Sequence, residues 1–288
     1  MSMAISQERL TRPDGLFVTP AQPCGTGVLV LAGSSGRVDT ERARLLGRFG
    51  ATTASIRWFG GEGQQPEPFE VPLETFTAAL DRLAPQCDRL AVIGTSFGAE
   101  AALLTAVNDP RIGAVVAFAP SPVVWAGVAG GRDGEPARMT SHWTVNGVPL
   151  PFVPLDDAWE TTTTPPSFRG HYEQSLLSHH EAAVRAAIPV ERIGGEVLVV
   201  GGEDDQVWPG ADFARAIAAR RFDHGLMTHV VTHPSAGHRT ILPGEQPVVA
   251  GAEIARGGTP EADAELGALV WPVLARLLRL GSDQRASG

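Results

Sequence analysis

Cysteine is scarce in this sequence of 288 residues, with Cys24 and Cys87 as its two representatives. Two cysteines are too few for a disulfide framework, and the Cys-x-x-Cys spacing of many metal sites does not occur. We expect two reduced, partly buried thiols, with a single structural disulfide as the alternative. Small disulfide-rich and zinc-ribbon classes are therefore disfavoured.

Long apolar runs are also missing. Residues 1–10 include Glu8 and Arg9 and hold no apolar stretch of signal-peptide length. No segment approaches the roughly 18 consecutive apolar residues of a membrane span. The sequence predicts a cytoplasmic protein without a membrane span.

Basic residues are outnumbered, with 23 Lys and Arg against 32 Asp and Glu and a formal net charge of −9. This balance does not favour nucleic acid as a partner, and a phosphate-bearing substrate would need a local basic patch. Hydrophobic residues make up 43% and charged residues 19%, which is typical of a soluble globular protein with a sizeable core. We expect a single domain over residues 1–288, with a homodimer as one option for its assembly.

Short apolar runs alternate with helical patterns, and several are apolar on both faces, as strands buried under helices are. The predicted strands are 27–32, 90–93, 114–118 and 196–200. The predicted helices include one capped by Thr40, one over 72–83, one after Ser96 and one after Thr259. This alternation predicts an α/β fold with a mostly parallel, doubly wound sheet.

Residues at about 121–190 interrupt this rhythm with prolines, a Thr161–Thr164 run and Trp125, Trp143 and Trp159. So long an irregular stretch inside a domain is usually functional. We interpret it as a lid-like or substrate-binding insertion, with a surface excursion of no role as the alternative.

Ser96 lies in Gly94-Thr95-Ser96-Phe97-Gly98, between a predicted buried strand and an alanine-rich helix. This is the strand, sharp turn and helix that a nucleophile elbow requires. The glycines leave room for the turn, and the helix N-terminus favours developing negative charge. The pattern predicts Ser96 as the nucleophile of an α/β-hydrolase.

A serine nucleophile needs a base and an acid, in the chain order Ser, Asp or Glu, His. Glu203, Asp204 and Asp205 follow the strand 196–200 and compete for the acid; the Gly-x-x-Asp pattern ending at Asp205 favours that residue. His238 lies in a small-residue loop well beyond the strand-like 228–232 and is our predicted base. The other histidines precede the acid or fall before, within or close to that strand, at positions 142, 171, 179, 180, 224, 229 and 233.

Two backbone N–H groups should form the oxyanion hole. One is predicted at Phe97, after the nucleophile, and the other at Ser34 in the small-residue loop 32–36, with Gly33 as the alternative. A nucleotide-binding role for this loop is weak, because it has neither G-x-G-x-x-G nor a Walker lysine.

Several late motifs carry a resemblance. They are Ile188-Pro189-Val190-Glu191-Arg192-Ile193, Gly202–Pro209, Ala236-Gly237-His238, Gly257-Gly258-Thr259-Pro260-Glu261-Ala262 and Trp271-Pro272. Over residues 24–280 the chain resembles the C-terminal catalytic domain shared by acyl-CoA thioesterases and bile-acid-CoA:amino-acid N-acyltransferases, close to dienelactone-hydrolase-like enzymes. The resemblance implies a nucleophile at Ser96, an acid at Asp205 and a base at His238, with neither a metal nor an organic cofactor.

The resemblance implies an acyl-thioester hydrolase. The enzymatic alternatives are an ester or lactone hydrolase and an acyltransferase or cyclase. The alternative from a different class is a non-catalytic binding scaffold. Animal members of the family carry an N-terminal β-rich domain, so the acyl pocket and coenzyme contacts are expected to differ here. The amide-forming transferases typically have cysteine as the nucleophile, whereas this chain has Ser96. Serine favours hydrolysis, because an oxygen ester is captured by an amine less readily than a thioester is.

Overall fold

The computed structural model describes residues 3–129, 137–248 and 252–281. Within them, the strands in chain order are β1 (Ile5–Thr11), β2 (Asp14–Pro20), β3 (Thr26–Leu31), β4 (Thr52–Ile56), β5 (Val71–Pro72), β6 (Arg89–Thr95), β7 (Ile112–Phe118), β8 (Ala126–Ala129), β9 (Arg138–Ser141), β10 (Trp143–Val145), β11 (Val148–Pro149), β12 (Glu196–Gly202) and β13 (His229–His233). The α-helices are α1 (Thr40–Arg48), α2 (Glu74–Leu83), α3 (Phe97–Asn108), α4 (Arg169–Ser178), α5 (His180–Arg185), α6 (Gly210–Asp223) and α7 (Pro260–Leu277).

An eight-stranded sheet of described residues has the order β1-β2-β4-β3-β6-β7-β12-β13. Strand β2 is antiparallel to both of its neighbours, and the pairs from β4 to β13 are parallel. The carboxyl ends of the parallel strands therefore meet at one edge. Ligands bind at this edge in open α/β sheets.

The central strands are apolar throughout because both faces of the sheet are covered. Every residue of β3 and β4 is buried. Helices α1 and α7 pack on one face, and α2, α3 and α6 pack on the other, so two separate apolar cores result. This confirms the predicted doubly wound architecture, and the four predicted strands are present with shifts of a few residues at their ends.

Two predicted helix starts are wrong. Pro72 belongs to β5, which pairs with β10, and the helix begins at Glu74. Asp39, not Thr40, occupies the N-cap position of α1 and makes no side-chain capping bond. At α7 the prediction is confirmed, because the Thr259 side chain accepts from the Ala262 N–H over 3.2 Å.

The insertion at 121–190 contains more regular structure than its composition indicates. Its described part holds β8 to β11 and helices α4 and α5, and β10 continues the small sheet that β5 begins. Residues 130–136 of this insertion lie outside the described residues. Trp125 and Trp143 are fully buried and pack as part of the apolar core.

None of the helices in the described ranges has the length and apolar character that crossing a membrane requires.

Candidate active site

Ser96 lies at the sharp turn between β6 and α3, at the edge where the carboxyl ends of the parallel strands meet. Its backbone has φ +59° and ψ −126°, a region that residues with a side chain seldom adopt. The Ser96 N–H donates to the Phe118 carbonyl of β7 over 2.9 Å, which holds the turn against the neighbouring strand. This strained backbone geometry is that of the sharp turn that the motif predicts, with Ser96 at the junction of β6 and α3.

The two glycines of the motif are required by close backbone approach. A Cβ at Gly94 would overlap the carbonyl oxygen of Gly98, and a Cβ at Gly98 would overlap that of Ala32. Helix α3 therefore begins in direct contact with the end of β3, which brings Ser96 beside the loop that follows β3.

Asp205 and His238 are joined by a hydrogen bond of 2.8 Å between Oδ2 and Nδ1. The Asp205 side chain is fully buried, and its Oδ1 accepts from the N–H groups of Val207 over 2.8 Å and Trp208 over 3.3 Å. A carboxylate that accepts these bonds is fixed in orientation. It can hold His238 with Nδ1 protonated, which leaves Nε2 free to accept a proton.

The competing acids have other partners. Asp204 accepts from the Gly258 N–H over 2.8 Å and from the Gln206 side chain over 3.0 Å, and Glu203 pairs with Arg215. Of these three acids, Asp205 is the one whose side chain contacts His238 among the described residues.

Backbone contacts position the His238 loop. The His238 N–H donates to the Arg256 carbonyl, and the Gly237 N–H donates to Asp263 Oδ1, each over 2.8 Å. Burial raises the pKa of Asp263 to about 6. His233, which we expected just beyond the last strand, is its final residue and contacts Glu265 over 3.1 Å.

Trp208 connects the nucleophile turn to the base. Its ring lies 5.3 Å from that of Phe97 and 5.6 Å from that of His238, measured between centroids. No hydrogen bond joins Ser96 to His238 among the described residues. Catalytic hydrogen bonds are often long before substrate binds and tighten in the complex.

The predicted oxyanion hole involves the loop after β3. A Cβ built on Gly33 would lie 3.0 Å from Cβ and 3.6 Å from Oγ of Ser96, so the Gly33 backbone lies against the nucleophile. Ser34, our first choice, is the next residue and is exposed. Phe97 is the first residue of α3, where N–H groups have no partner within the helix.

Sequence reasoning missed two buried polar residues at this site. Glu100, one turn after Ser96, is fully buried, and its Oε1 accepts from the Trp143 indole over 2.6 Å and the Trp125 N–H over 3.2 Å. Burial raises the pKa of Glu100 to about 8. The available signal was a lone acid in an otherwise apolar helix.

His142 is the other missed residue. Its ring lies 4.1 Å from that of Phe97, and its Nδ1 donates to the Trp125 carbonyl over 3.0 Å. Burial lowers the pKa of His142 to about 4, so the ring is neutral near pH 7. Its position before the acid in the chain argues against it as the catalytic base, and the sequence offers no other signal for it.

No group of three or more His, Cys, Asp or Glu side chains in the described part of the chain could hold a metal ion.

The sheet order and the strand–turn–helix unit at Ser96 are those of an α/β-hydrolase fold. A putative dienelactone hydrolase from Klebsiella pneumoniae subsp. pneumoniae MGH 78578 has a similar fold, with a TM-score of 0.54 and 14% identity over 97% of this chain and 99% of that chain. Residues 71–279 match the family described as BAAT / Acyl-CoA thioester hydrolase C terminal, and the chain belongs to that family.

Two curated mouse proteins are similar in sequence. Acyl-coenzyme A thioesterase 6 is 26% identical over 89% of this chain and 60% of its own length. Acyl-coenzyme A amino acid N-acyltransferase 2 is 27% identical over 81% of this chain and 53% of its own length. The chain thus spans little more than half the length of these relatives.

Proposed function

We propose that this chain is a serine hydrolase that cleaves acyl thioesters through Ser96, His238 and Asp205. The observation that carries the proposal is the buried 2.8 Å contact between Asp205 and His238, at the same sheet edge as the strained Ser96 turn. Family membership and the relatives named for acyl-coenzyme A chemistry support the substrate class.

In this mechanism His238 Nε2 takes the Ser96 hydroxyl proton while Oγ attacks the thioester carbonyl carbon. The N–H of Phe97 and that of Ser34, or of Gly33, stabilise the oxyanion. Collapse of the tetrahedral intermediate breaks the C–S bond, and His238 gives its proton to the departing thiolate. Water then attacks the acyl-enzyme with His238 as base, which releases the carboxylic acid and restores Ser96.

Ser96→Ala tests the nucleophile. We expect the thioester hydrolysis rate to fall by at least ~10³-fold, because triad members act as a unit. Ser6→Ala, at an exposed residue of β1, is the matched control and should retain wild-type turnover. Mass spectrometry after mixing with a thioester should show an acyl adduct on Ser96. Hydrolysis near the wild-type rate in Ser96→Ala would overturn the proposal.

Product analysis separates the alternatives. We expect water to capture the acyl group from an acyl-coenzyme A in preference to an added amino acid, because the acyl-enzyme is an oxygen ester. Dominant amide formation would instead identify an acyltransferase. Turnover of p-nitrophenyl esters or lactones without turnover of thioesters would identify an ester or lactone hydrolase.

A further inference from the structure

Strand β13 lies at the end of the eight-stranded sheet, and among the described residues it pairs only with β12. The Glu203 N–H donates to the His233 carbonyl over 3.1 Å, so the backbone polar groups of His233 point towards β12. Because these groups alternate in direction along a strand, those of Val230 and Thr232 point away from β12, to the outer edge. An edge strand of this kind is able to pair with a strand of another chain.

Helix α7 runs beside β13 and contacts both ends of the strand. Glu265 Oε2 lies 3.1 Å from His233 Nε2 at one end, and Arg276 Nη2 donates to His229 Nε2 over 2.9 Å at the other. The side of α7 that carries Glu265 and Arg276 is therefore the side nearest β13, the outermost strand of the sheet.

Four exposed residues form a row along this side of the helix, which we call the α7 stripe: Glu265, Leu269, Pro272 and Arg276. Their spacings of four, three and four residues place them on one helix face. The stripe is acidic at one end, apolar in the middle and basic at the other end. When two such stripes lie antiparallel, Glu265 of each faces Arg276 of the other, and Leu269 faces Pro272. The stripe is thus complementary to itself.

The two ends of the α7 stripe keep opposite charges when their neighbours within the chain are included. Glu196 pairs with Arg276 over 3.2 Å and with Arg89 over 2.9 Å, so two arginines share one carboxylate at the basic end. At the acidic end, Glu265 contacts the His233 ring and, among the described residues, forms no ion pair with an arginine.

Exposed apolar side chains concentrate around the same edge of the sheet. Of the eight large hydrophobic side chains that are exposed in the described part of the chain, four lie here: Phe222, Met227, Val230 and Leu269. Phe222 and Met227 line one surface cavity at the segment that leads from α6 into β13. A cluster of exposed apolar groups bordered by charged residues is typical of a protein–protein interface.

We propose that the outer edge of β13 and the α7 stripe form a two-fold interface with a second copy of this chain. In this dimer the two β13 strands pair antiparallel with their centre at Val231, so Val230 of each copy lies opposite Thr232 of the other. The outward N–H and C=O groups of these residues then bond across the interface, and the two sheets become one continuous sheet.

A single two-fold axis, perpendicular to the sheet, satisfies both the strand and the helix. Because His229 contacts Arg276 and His233 contacts Glu265, exchanging the ends of β13 also exchanges the ends of the α7 stripe. An interface between identical copies requires such self-complementarity, whereas an interface with an unrelated partner does not. The surface therefore fits a second copy of the chain.

Sedimentation velocity of the full chain, at concentrations from about 1 to 100 µM, measures the assembly, because the population of a dimer depends on concentration. We expect the wild-type chain to form a dimer within this range and no larger species, because a two-fold interface is closed. A monomer at every concentration would overturn the proposal.

Two charge reversals test the pairing of the α7 stripes. Glu265→Arg and Arg276→Glu, each alone, should raise the Kd of the dimer at least ~10-fold, because each sets like charges opposite one another twice per dimer. An equimolar mixture of the two variants should associate as a heterodimer with a Kd within about threefold of the wild-type value, because both contacts then join opposite charges. A mixture that associates no more tightly than either variant alone would contradict the pairing.

Leu269→Lys tests the apolar middle of the α7 stripe. It should also raise Kd at least ~10-fold, because the dimer would bury an unpaired charge. Leu177→Lys is the matched control, at an exposed leucine of α4 outside the proposed interface, and should leave Kd unchanged. Both leucines are exposed, so the circular dichroism spectra of both variants should match that of wild type. An equal loss of association in the two variants would argue against the stripe.

Cysteine cross-linking tests the register of the strands. The two copies of Val231 form a non-hydrogen-bonded pair with Cα atoms about 4.5 Å apart, a separation that allows a disulfide. Val231→Cys should therefore form a disulfide-linked dimer on oxidation with diamide. Thr232→Cys should not, because its two copies lie diagonally at about 7–8 Å. The wild-type chain, with Cys24 and Cys87, gives the background.

A dimer that keeps its Kd in Glu265→Arg and Leu269→Lys and does not cross-link through Val231→Cys would place the interface elsewhere and overturn the proposal. Neither β13 nor the α7 stripe includes Ser96, Asp205 or His238, so these outcomes are independent of the proposed hydrolase activity.

Discussion

The indole N–H of Trp143 donates to Oε1 of Glu100 over 2.6 Å, within a fully buried environment. Trp143 belongs to β10 in the insertion, and Glu100 lies one helical turn after Ser96. The Trp125 N–H donates to the same oxygen, while Oε2 has no hydrogen-bond partner among the described residues. One buried carboxyl group thus links the insertion by hydrogen bonds to α3, the helix that begins directly after the candidate nucleophile.

This arrangement predicts a pH-dependent stability that Glu100→Gln removes. Burial raises the folded-state pKa of Glu100 from 4.5 to about 8, so the folded protein keeps a proton that the unfolded chain releases. Stability from this residue is full below pH 4.5 and is lost as pH rises through 8. The free energy of unfolding of Glu100→Gln, minus that of wild type, should rise with pH across this window by up to about 1.4 kcal/mol per unit.

Urea denaturation between pH 5 and 9 measures this difference. Glu181→Gln, at an exposed position of α5, is the control and should give a flat difference. A flat difference for Glu100→Gln as well would show that Glu100 is ionised in the folded protein at neutral pH.

Asp205→Asn and Asp204→Asn discriminate between neighbouring acids. Asp205 is bonded to His238, so its amide would present the wrong hydrogen-bonding group and favour the unproductive tautomer. We expect kcat to fall by at least ~10²-fold, since the acid-to-amide change in a serine triad lowers kcat by up to about 10⁴-fold. Asp204→Asn should retain activity within about fivefold, because Asp204 contacts Gly258 and Gln206. Steady-state kinetics on one thioester compare kcat for the two variants. A larger loss of kcat in Asp204→Asn than in Asp205→Asn would assign the catalytic acid to Asp204.

The turn at Ser96 predicts a conflict between stability and activity. A residue with a side chain is strained at φ +59°, whereas glycine adopts this region readily. The free energy of unfolding of Ser96→Gly should therefore be about 1 kcal/mol higher than that of Ser96→Ala. Both variants should lack hydrolase activity. Thermal and urea unfolding of the two variants provide the comparison. Equal stabilities would mean that the turn relaxes in the variants.

Arg42 is predicted to stabilise the connection between the nucleophile strand and the base loop. It forms a bidentate pair with the buried Glu245, at 2.7 and 2.9 Å, and donates to Thr95 and the Thr240 carbonyl. Arg42→Met should lower the free energy of unfolding by about 3–5 kcal/mol, because it leaves the Glu245 charge buried and unpaired.

A second substitution identifies the cause of that loss. Adding Glu245→Leu to Arg42→Met should restore much of the stability, since the uncompensated charge is then removed. Arg44→Met, which breaks a partly exposed pair with Glu41, should cost at most about 1 kcal/mol. If the double variant is no more stable than Arg42→Met, the buried charge is not the source of the loss.

Much of the candidate site could be predicted because its signals are local in sequence. The alternation of apolar strands and helices indicated the doubly wound sheet, and Gly94, Ser96 and Gly98 specified the turn through backbone sterics. Strands β1 and β2 were missed: β1 is largely exposed and lies at the sheet edge, so it lacks the continuous apolar run of a central strand.

The sequence by itself determined the fold class, nominated Ser96 and His238 and favoured Asp205 among three acids, because strand periodicity, glycine spacing and chain order are properties of neighbouring residues. The contact between Asp205 and His238 is visible only in the tertiary structure, because neighbouring side chains of a loop point in different directions. The tertiary structure alone brought Glu100 to Trp143, from segments far apart in the chain. Burial and charge proximity arise from packing, and packing is not local in sequence.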